Sequence, residues 1–367
     1  MQKRIIGKDL EVSAIGLGCM GMSHAYGNQC TSDEAKKLIE TAIEKGCTLF
    51  DTAEVYGEPD CPHHNEEMLG EILKPYRSKI VLATKFGVKF DVSAPTVNKP
   101  VIPDSRPESI RKSIEGSLRR LQTDHIDLYY QHRQDPDVPV EEVAGVMADL
   151  IREGKITHWG LSEVNEDIIR RANAVCPVTA IQNRYHMMYR NYEALFPVLE
   201  ELQIGFVAFS PLANGLLSGA YSQDSTFSEQ GDYRKAMPQF QADSYEKNRA
   251  LFSLIQRYAE DKNATSAQIS LAWLICKKPY IVPIPGTRKL GRLTENLGAA
   301  DVVLTAQEVA EIDKALDKMN FGFHFHFDFH FGFHFGLHFG FRFHFVFRLL
   351  LFFLYLYLFL GLKYQIR

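Results

Sequence analysis

No cysteine in this chain stands in a C-x-x-C pair. Its six cysteines, Cys19, Cys30, Cys47, Cys61, Cys176 and Cys276, are scattered along 367 residues. That spacing argues against a disulfide framework and fits free thiols in a reducing compartment. An excess of one charge is also missing. Charged residues make up 23% and the formal net charge is −4, so nothing global favours nucleic acid as a partner. The opening Met1-Gln2-Lys3-Arg4-Ile5-Ile6-Gly7-Lys8 lacks the apolar stretch of a signal peptide, and no targeting segment is expected. The apolar run Leu349 to Leu360 is shorter than the roughly 20 residues of a spanning helix. No membrane partner is therefore expected except through the C-terminal tail, and the expected location is the cytoplasm.

What is present is alternation. Short runs rich in Val, Ile and aromatics, near 12–18, 48–52, 80–85, 126–132, 156–161, 178–182, 205–210 and 280–284, are each followed by a stretch of helical period. In the first such stretch Ala35, Leu38, Ile39, Ala42 and Ile43 fall at i, i+3, i+4, i+7 and i+8. Thr31-Ser32-Asp33-Glu34 has the form of a capping box and Gly46 supplies a stop. Ser105-Arg106-Pro107-Glu108 reads as the capping box of a helix from Pro107 to about Leu121. Eight strands each followed by helix, in about 300 residues, predict an α/β chain folded as a (β/α)8 TIM barrel. Arg4 to Val12 reads as a small N-terminal hairpin plugging its floor. The long polar segment from about Ala213 to Asp243 reads as a functional loop over the mouth.

The composition changes abruptly after Asn320. From Phe321 to Phe347 phenylalanine occupies every odd position except Leu337, with His324, His326, His330, His334, His338 and His344 between them. Residues 1–320 are expected to form the barrel, and 321–367 a low-complexity Phe/His-rich tail outside the fold.

Active sites of (β/α)8 barrels sit at the C-terminal ends of the strands. Asp51, Lys85 and His132 close three successive runs, and Tyr56 follows Asp51 in the loop. A phenol, an ammonium, a carboxylate and an imidazole at one mouth suit proton delivery to a carbonyl. A free phenol has a pKa of about 10. An ammonium beside it favours the phenolate, a carboxylate holds the ammonium in place, and the imidazole orients the carbonyl oxygen.

The segment Gly46-Cys47-Thr48-Leu49-Phe50-Asp51-Thr52-Ala53-Glu54-Val55-Tyr56-Gly57 resembles the first motif of the aldo-keto reductase family, and the resemblance extends over roughly residues 4–319. It implies reduction of an aldehyde or ketone, a small-molecule carbonyl substrate, by NADPH. Tyr56 would be the general acid, tuned by Lys85 and Asp51, and His132 would orient the carbonyl. Trp159-Gly160-Leu161-Ser162-Glu163 and Ala180-Ile181-Gln182-Asn183 look like the segments that hold the nicotinamide carboxamide, through Ser162 and Gln182. Many relatives carry Asn where Glu163 stands, and a carboxylate can only accept hydrogen bonds. Phe206 to Leu212 resembles the strand end whose aromatic residue, here Phe209, stacks on the nicotinamide, with Ser210 and Leu212 beside it. Pro283 to Asn296 resembles the adenosine end: Gly286 in the turn, Arg288 and Arg292 on a 2′-phosphate, Glu295 and Asn296 on adenine. That pair of arginines favours NADP(H) over NAD. The same family includes barrels that keep the cofactor and serve as non-catalytic regulatory subunits, the alternative reading of this chain.

Two other patterns are set aside. Gly16-Leu17-Gly18-Cys19-Met20-Gly21 matches G-x-G-x-x-G, but no helix opens on its third glycine, as a dinucleotide fingerprint requires. It reads instead as a close-packed turn. Cys61-Pro62-His63-His64 matches no common zinc spacing, and no metal is expected.

Overall fold

Eight parallel strands follow one another around a single sheet in chain order. They are β1 (Leu17–Gly18), β2 (Leu49–Asp51), β3 (Val81–Phe86), β4 (Ile126–Gln131), β5 (Ile156–Ser162), β6 (Ala180–Arg184), β7 (Gly205–Phe209) and β8 (Ile281–Pro283). The structure is a computed structural model, and it describes residues 1–94, 99–229, 231–319 and 321. The sheet closes on itself where the Gly16 and Gly18 amides donate to the Pro283 and Pro285 carbonyls, at 3.0 and 3.4 Å. This is the (β/α)8 barrel read from the alternation. Runs such as Val81–Phe86 are buried almost throughout because both faces of a parallel sheet are covered.

The helices are α1 (Ser32–Glu44), α2 (His64–Leu73), α3 (Pro107–Arg120), α4 (Val140–Arg152), α5 (Glu166–Val175), α6 (Phe196–Leu202), α7 (Ala242–Lys247), α8 (Arg249–Asp261), α9 (Ser266–Lys277), α10 (Leu290–Gly298) and α11 (Ala306–Leu316). The Thr31 capping box forms as expected: the Thr31 hydroxyl accepts from the Glu34 amide, and the Glu34 carboxylate accepts from the Thr31 amide. The one read at Ser105 does not form. α3 starts on Pro107 with no side-chain cap. The Ser105 amide instead donates to Asp135 at 2.7 Å, and its hydroxyl accepts from Gln131 at 2.9 Å. Partners from the end of β4 outcompete the local motif.

The expected N-terminal plug is a hairpin of Lys3–Ile6 with Leu10–Ser13. Its Ile6, Leu10 and Val12 pack into the barrel with Leu49, Ala83, Leu128, Tyr130, Ala180, Val207 and Val282. A second hairpin, Val88–Phe90 with Val101–Pro103, follows β3 and has no counterpart in the alternation. The segment 213–243 is not plain loop: it holds 3-10 turns over Ala213–Ser218, Tyr233–Ala236 and Pro238–Phe240 before α7. The expectation for the tail lies outside the described residues, apart from Phe321, which is half-buried against the core.

Candidate active site

Asp51 is the last residue of β2, Lys85 the next to last of β3, and His132 the first after β4, its amide donating to the Phe86 carbonyl at 2.8 Å. Adjacent parallel strands thus bring three side chains to one end of the barrel. Lys85 is wholly buried. Its Nζ donates to Asp51 Oδ1 at 2.5 Å and to the Thr52 carbonyl at 2.7 Å. The other carboxylate oxygen, Oδ2, accepts from Gln182 Nε2 at 2.7 Å, so Asp51 is gripped from two strands. Lys85 Nζ lies 4.8 Å from the centroid of the half-buried Tyr56 ring. The His132 ring stands nearly perpendicular to Tyr56, at 84° with centroids 5.6 Å apart. A second imidazole, His24, lies almost parallel to Tyr56 at 6.4 Å.

A buried chain of hydrogen bonds fixes the Tyr56 backbone. Thr52 Oγ1 donates to Asn65 Oδ1 at 2.5 Å, Asn65 Nδ2 donates to the Cys19 carbonyl and to Ser23 Oγ, and Ser23 Oγ donates to the Tyr56 carbonyl at 2.7 Å. Asn65, at the start of α2, thereby ties the loop to β2 and to the turn after β1.

The electrostatics differ among Lys85, Tyr56 and His132. Burial alone lowers the Lys85 ammonium, but Asp51 and Tyr56 more than offset it, and the net direction is upward. Burial raises the Tyr56 phenol; the Lys85 ammonium opposes this without reversing it. The expectation that Lys85 brings the phenol down thus has the right sign for the ion and the wrong sign for the sum, because desolvation of a phenolate outweighs one compensated ammonium. Tyr56 is held as a phenol with a proton to give. Burial, with Arg133 and Lys85 adding to it, holds His132 well below the usual imidazole value, so it is neutral. Its Nδ1 is buried without a hydrogen-bond partner among the described residues.

Five of the residues predicted for a cofactor stand at the ends of β5, β6 and β7. Ser162 closes β5 and accepts from Arg133 Nη1 at 3.3 Å. Gln182 lies in β6 with its amide nitrogen committed to Asp51. Phe209, half-buried, closes β7, and Ser210 follows at φ +49°. Leu212 is half-buried two residues on. Gly286 follows β8 and faces Gly18 so closely that a Cβ there would lie 2.9 Å from the Gly18 carbonyl. The G-x-G of the opening segment is therefore the seam of the barrel. Arg288 precedes α10, and Arg292, Glu295 and the buried Asn296 lie within it. Arg288 Nη2 donates to the Tyr26 carbonyl at 2.8 Å and lies 3.5 Å from Glu229; Arg292 Nη1 donates to Tyr221 Oη at 3.2 Å. Both arginines thus meet the segment 213–243.

Sequence reasoning missed Arg133, Arg184 and the tyrosine pair at Tyr26. Arg133 Nη1 donates to the His132 carbonyl at 2.6 Å as well as to Ser162. The Arg184 guanidinium lies 5.8 Å from the Phe209 ring. Asn214 Nδ2 donates to Tyr26 Oη and Tyr233 Oη, which bond each other at 2.7 Å. The His-Arg pair at the end of β4 was the one local sign. Glu163 has a clear place: at φ +57° it accepts from the Arg184 amide at 2.9 Å and Tyr192 Oη at 3.1 Å, so an acceptor-only side chain fits.

Comparison with known proteins agrees with this geometry. A sequence model described as the Aldo/keto reductase family matches residues 14–317. A probable aldo-keto reductase from Glycine max is 39% identical over 312 residues, covering 83% of this chain and 86% of that protein. An aldo-keto reductase from Strobilurus tenacellus is 38% identical over 326 residues, 86% of this chain and 92% of its own. Among solved structures, the glycerol dehydrogenase of Gluconobacter oxydans superposes with a TM-score of 0.77 at 30% identity, over 86% of this chain and 95% of that one. An aldo-keto reductase from Bacillus halodurans in its holo form gives 0.69 at 26%, over 86% and 96%.

Proposed function

The chain belongs to the aldo/keto reductase family, whose members are oxidoreductases acting on carbonyl compounds with a nicotinamide cofactor, and from that premise we propose that it reduces an aldehyde or ketone to the alcohol using NADPH, with Tyr56 as the proton donor. The observation that carries the reading is the Lys85 ammonium, paired with Asp51 at 2.5 Å and 4.8 Å from the Tyr56 ring, beside a neutral His132.

The residues at the rim fit such a cofactor. Asn183 Nδ2, next to Gln182 at the end of β6, is buried without a hydrogen-bond partner among the described residues. Phe209 is only half-buried. Ser162, Gln182, Phe209, Ser210 and Leu212 would hold the nicotinamide end; Gly286, Arg288, Arg292, Glu295 and Asn296 would hold the adenosine end. Gln182 has committed its nitrogen to Asp51, which leaves its carbonyl oxygen to accept from a carboxamide. Two guanidinium groups around the first turn of α10 support NADPH rather than NADH, since they suit bidentate contact with a phosphate. When bound, the cofactor supplies the hydride.

The chain's own part is to orient and to protonate. His132 offers a neutral ring nitrogen to the carbonyl oxygen, and Tyr56 gives that oxygen its proton as charge develops on it. Lys85 stabilises the phenolate left behind, and Asp51 keeps Lys85 in place. The six unpaired cysteines support a reducing, cytoplasmic setting, and no helix among the described residues is long and apolar enough to cross a membrane. The test is Tyr56→Phe. Oxidation of NADPH by a generic aldehyde should be abolished while NADPH binding, followed by its fluorescence, is kept. Turnover retained in that variant overturns the proposal.

A further inference from the structure

The fold splits the pair in Cys61-Pro62-His63-His64. His63 turns inward, its Nδ1 donating to the Glu54 carbonyl at 2.5 Å. His64 opens α2 and faces outward with Glu67, three residues on and on the same helical face. The Cys61 thiol, a ring nitrogen of His64 and a carboxylate oxygen of Glu67 come within 4.8 Å of one another. We propose that Cys61, His64 and Glu67 bind one divalent cation of the zinc class on the rim of the barrel.

The chemistry of the three groups supports this. Thiolate, imidazole and carboxylate are each common zinc ligands, and three of them with a solvent molecule complete a tetrahedron. Thiolate and carboxylate together bring two negative charges, which neutralise a dication and offset the unfavourable helix dipole at the start of α2. Bonds of about 2.0–2.3 Å at tetrahedral angles require ligand atoms about 3.3–3.8 Å apart. The present spacing closes to that by side-chain rotation, because Cys61 and Glu67 are exposed and His64 is only half-buried. The hard-cation alternatives, calcium and magnesium, prefer all-oxygen sets. The sequence pattern looked wrong for zinc because the third ligand is not the second histidine but a glutamate one turn into the helix.

The site is set against the reactive loop. Cys61 donates its amide to the Glu58 carbonyl at 2.9 Å, and the two residues form an isolated antiparallel bridge. That turn folds back onto Gly57, where a Cβ would collide with the Cys61 carbonyl. A cation joining Cys61 to α2 therefore fastens the turn that follows Tyr56.

The full-length protein, freshly reduced and stripped of metal with a chelator, should be titrated with cobalt(II). One equivalent is expected to give a thiolate-to-cobalt charge-transfer band with the visible bands of a tetrahedral ion, displaced by one equivalent of zinc. The tail histidines can take up cobalt as well, but without a thiolate band. Cys61→Ser should abolish that band. Glu67→Gln should keep it while weakening cobalt binding by about tenfold or more. Both changes fall on exposed positions, and unchanged far-UV circular dichroism checks their folding. A missing band at saturating cobalt, a band that survives Cys61→Ser, or unaltered affinity in Glu67→Gln overturns the proposal.

Discussion

Replacing Lys85 by Met keeps the length of the side chain and removes its charge from a fully buried position. Two consequences follow, with separate magnitudes. The Asp51 carboxylate keeps Gln182 and loses its ion partner; leaving a charge buried in this way costs about 3–5 kcal/mol of stability. The phenol loses the cation that lowers it most, with Arg133 left as a weaker one. A unit charge 4.8 Å from the Tyr56 ring centre, at an effective dielectric constant of about 20, contributes roughly 3.5 kcal/mol, or about 2.5 pH units. Tyr56 would then be a much poorer acid, and carbonyl reduction should slow by about 10²-fold or more. Urea denaturation of the wild type, Lys85→Met, Asp51→Asn and the double variant separates the two effects. The double variant has no buried charge at this place, so it should recover at least about 2 kcal/mol relative to Lys85→Met, without recovering activity. If Lys85→Met lies within about 1 kcal/mol of the wild type and the second change restores nothing, the ion pair does not support the site as argued.

Three further outcomes are expected. With Tyr56 raised by burial and His132 lowered by it, reduction should be flat from about pH 6 to 9 and fall only as the pH approaches the phenol value above about 10; an inflection near pH 7 in the rate profile contradicts the assignment. Glu54 is buried, and desolvation, then Glu66, push its carboxyl up to about 8. Its raised value means the folded state binds the extra proton, so stability falls as pH rises from about 4.5 to about 8, by roughly 5 kcal/mol at most; Glu54→Gln should flatten that part of the stability curve, and an unchanged curve refutes it. Asn65→Ala removes three hydrogen bonds from a buried network, which should lower stability by about 3 kcal/mol in denaturation and slow turnover through the loosened Tyr56 loop. Ser23→Ala, which removes only the last link to Tyr56, should affect rate more than stability.

What was legible in the sequence is what is local or periodic. The Thr31 cap, the eight apolar runs and the polar residues closing them are readable because strand ends are fixed by the chain itself. Contacts between distant segments were not readable. Gln182 reaches Asp51 across half the barrel, and Ser105 leaves its own helix for Asp135 and Gln131, because parallel strands bring them together only after the sheet closes. The phenol's direction was misjudged for the same reason: the ammonium is visible in the sequence, and the depth of burial is not. The hairpin of Val88–Phe90 with Val101–Pro103 escaped because its strands are too short to show a period.

The seam between β1 and β8 has a consequence for synthesis. Asp51, Tyr56, Lys85 and His132, proposed for catalysis, lie on or just after β2, β3 and β4, so their half of the sheet is synthesised first. The bonds from Gly16 and Gly18 to Pro283 and Pro285 cannot form until the last strand exists. Until then the growing sheet carries two raw edges, one at β1 and one at whichever strand came last, each able to pair with a neighbouring chain. Closure is thus a single late event on which the close approach of Gly286 to Gly18 depends.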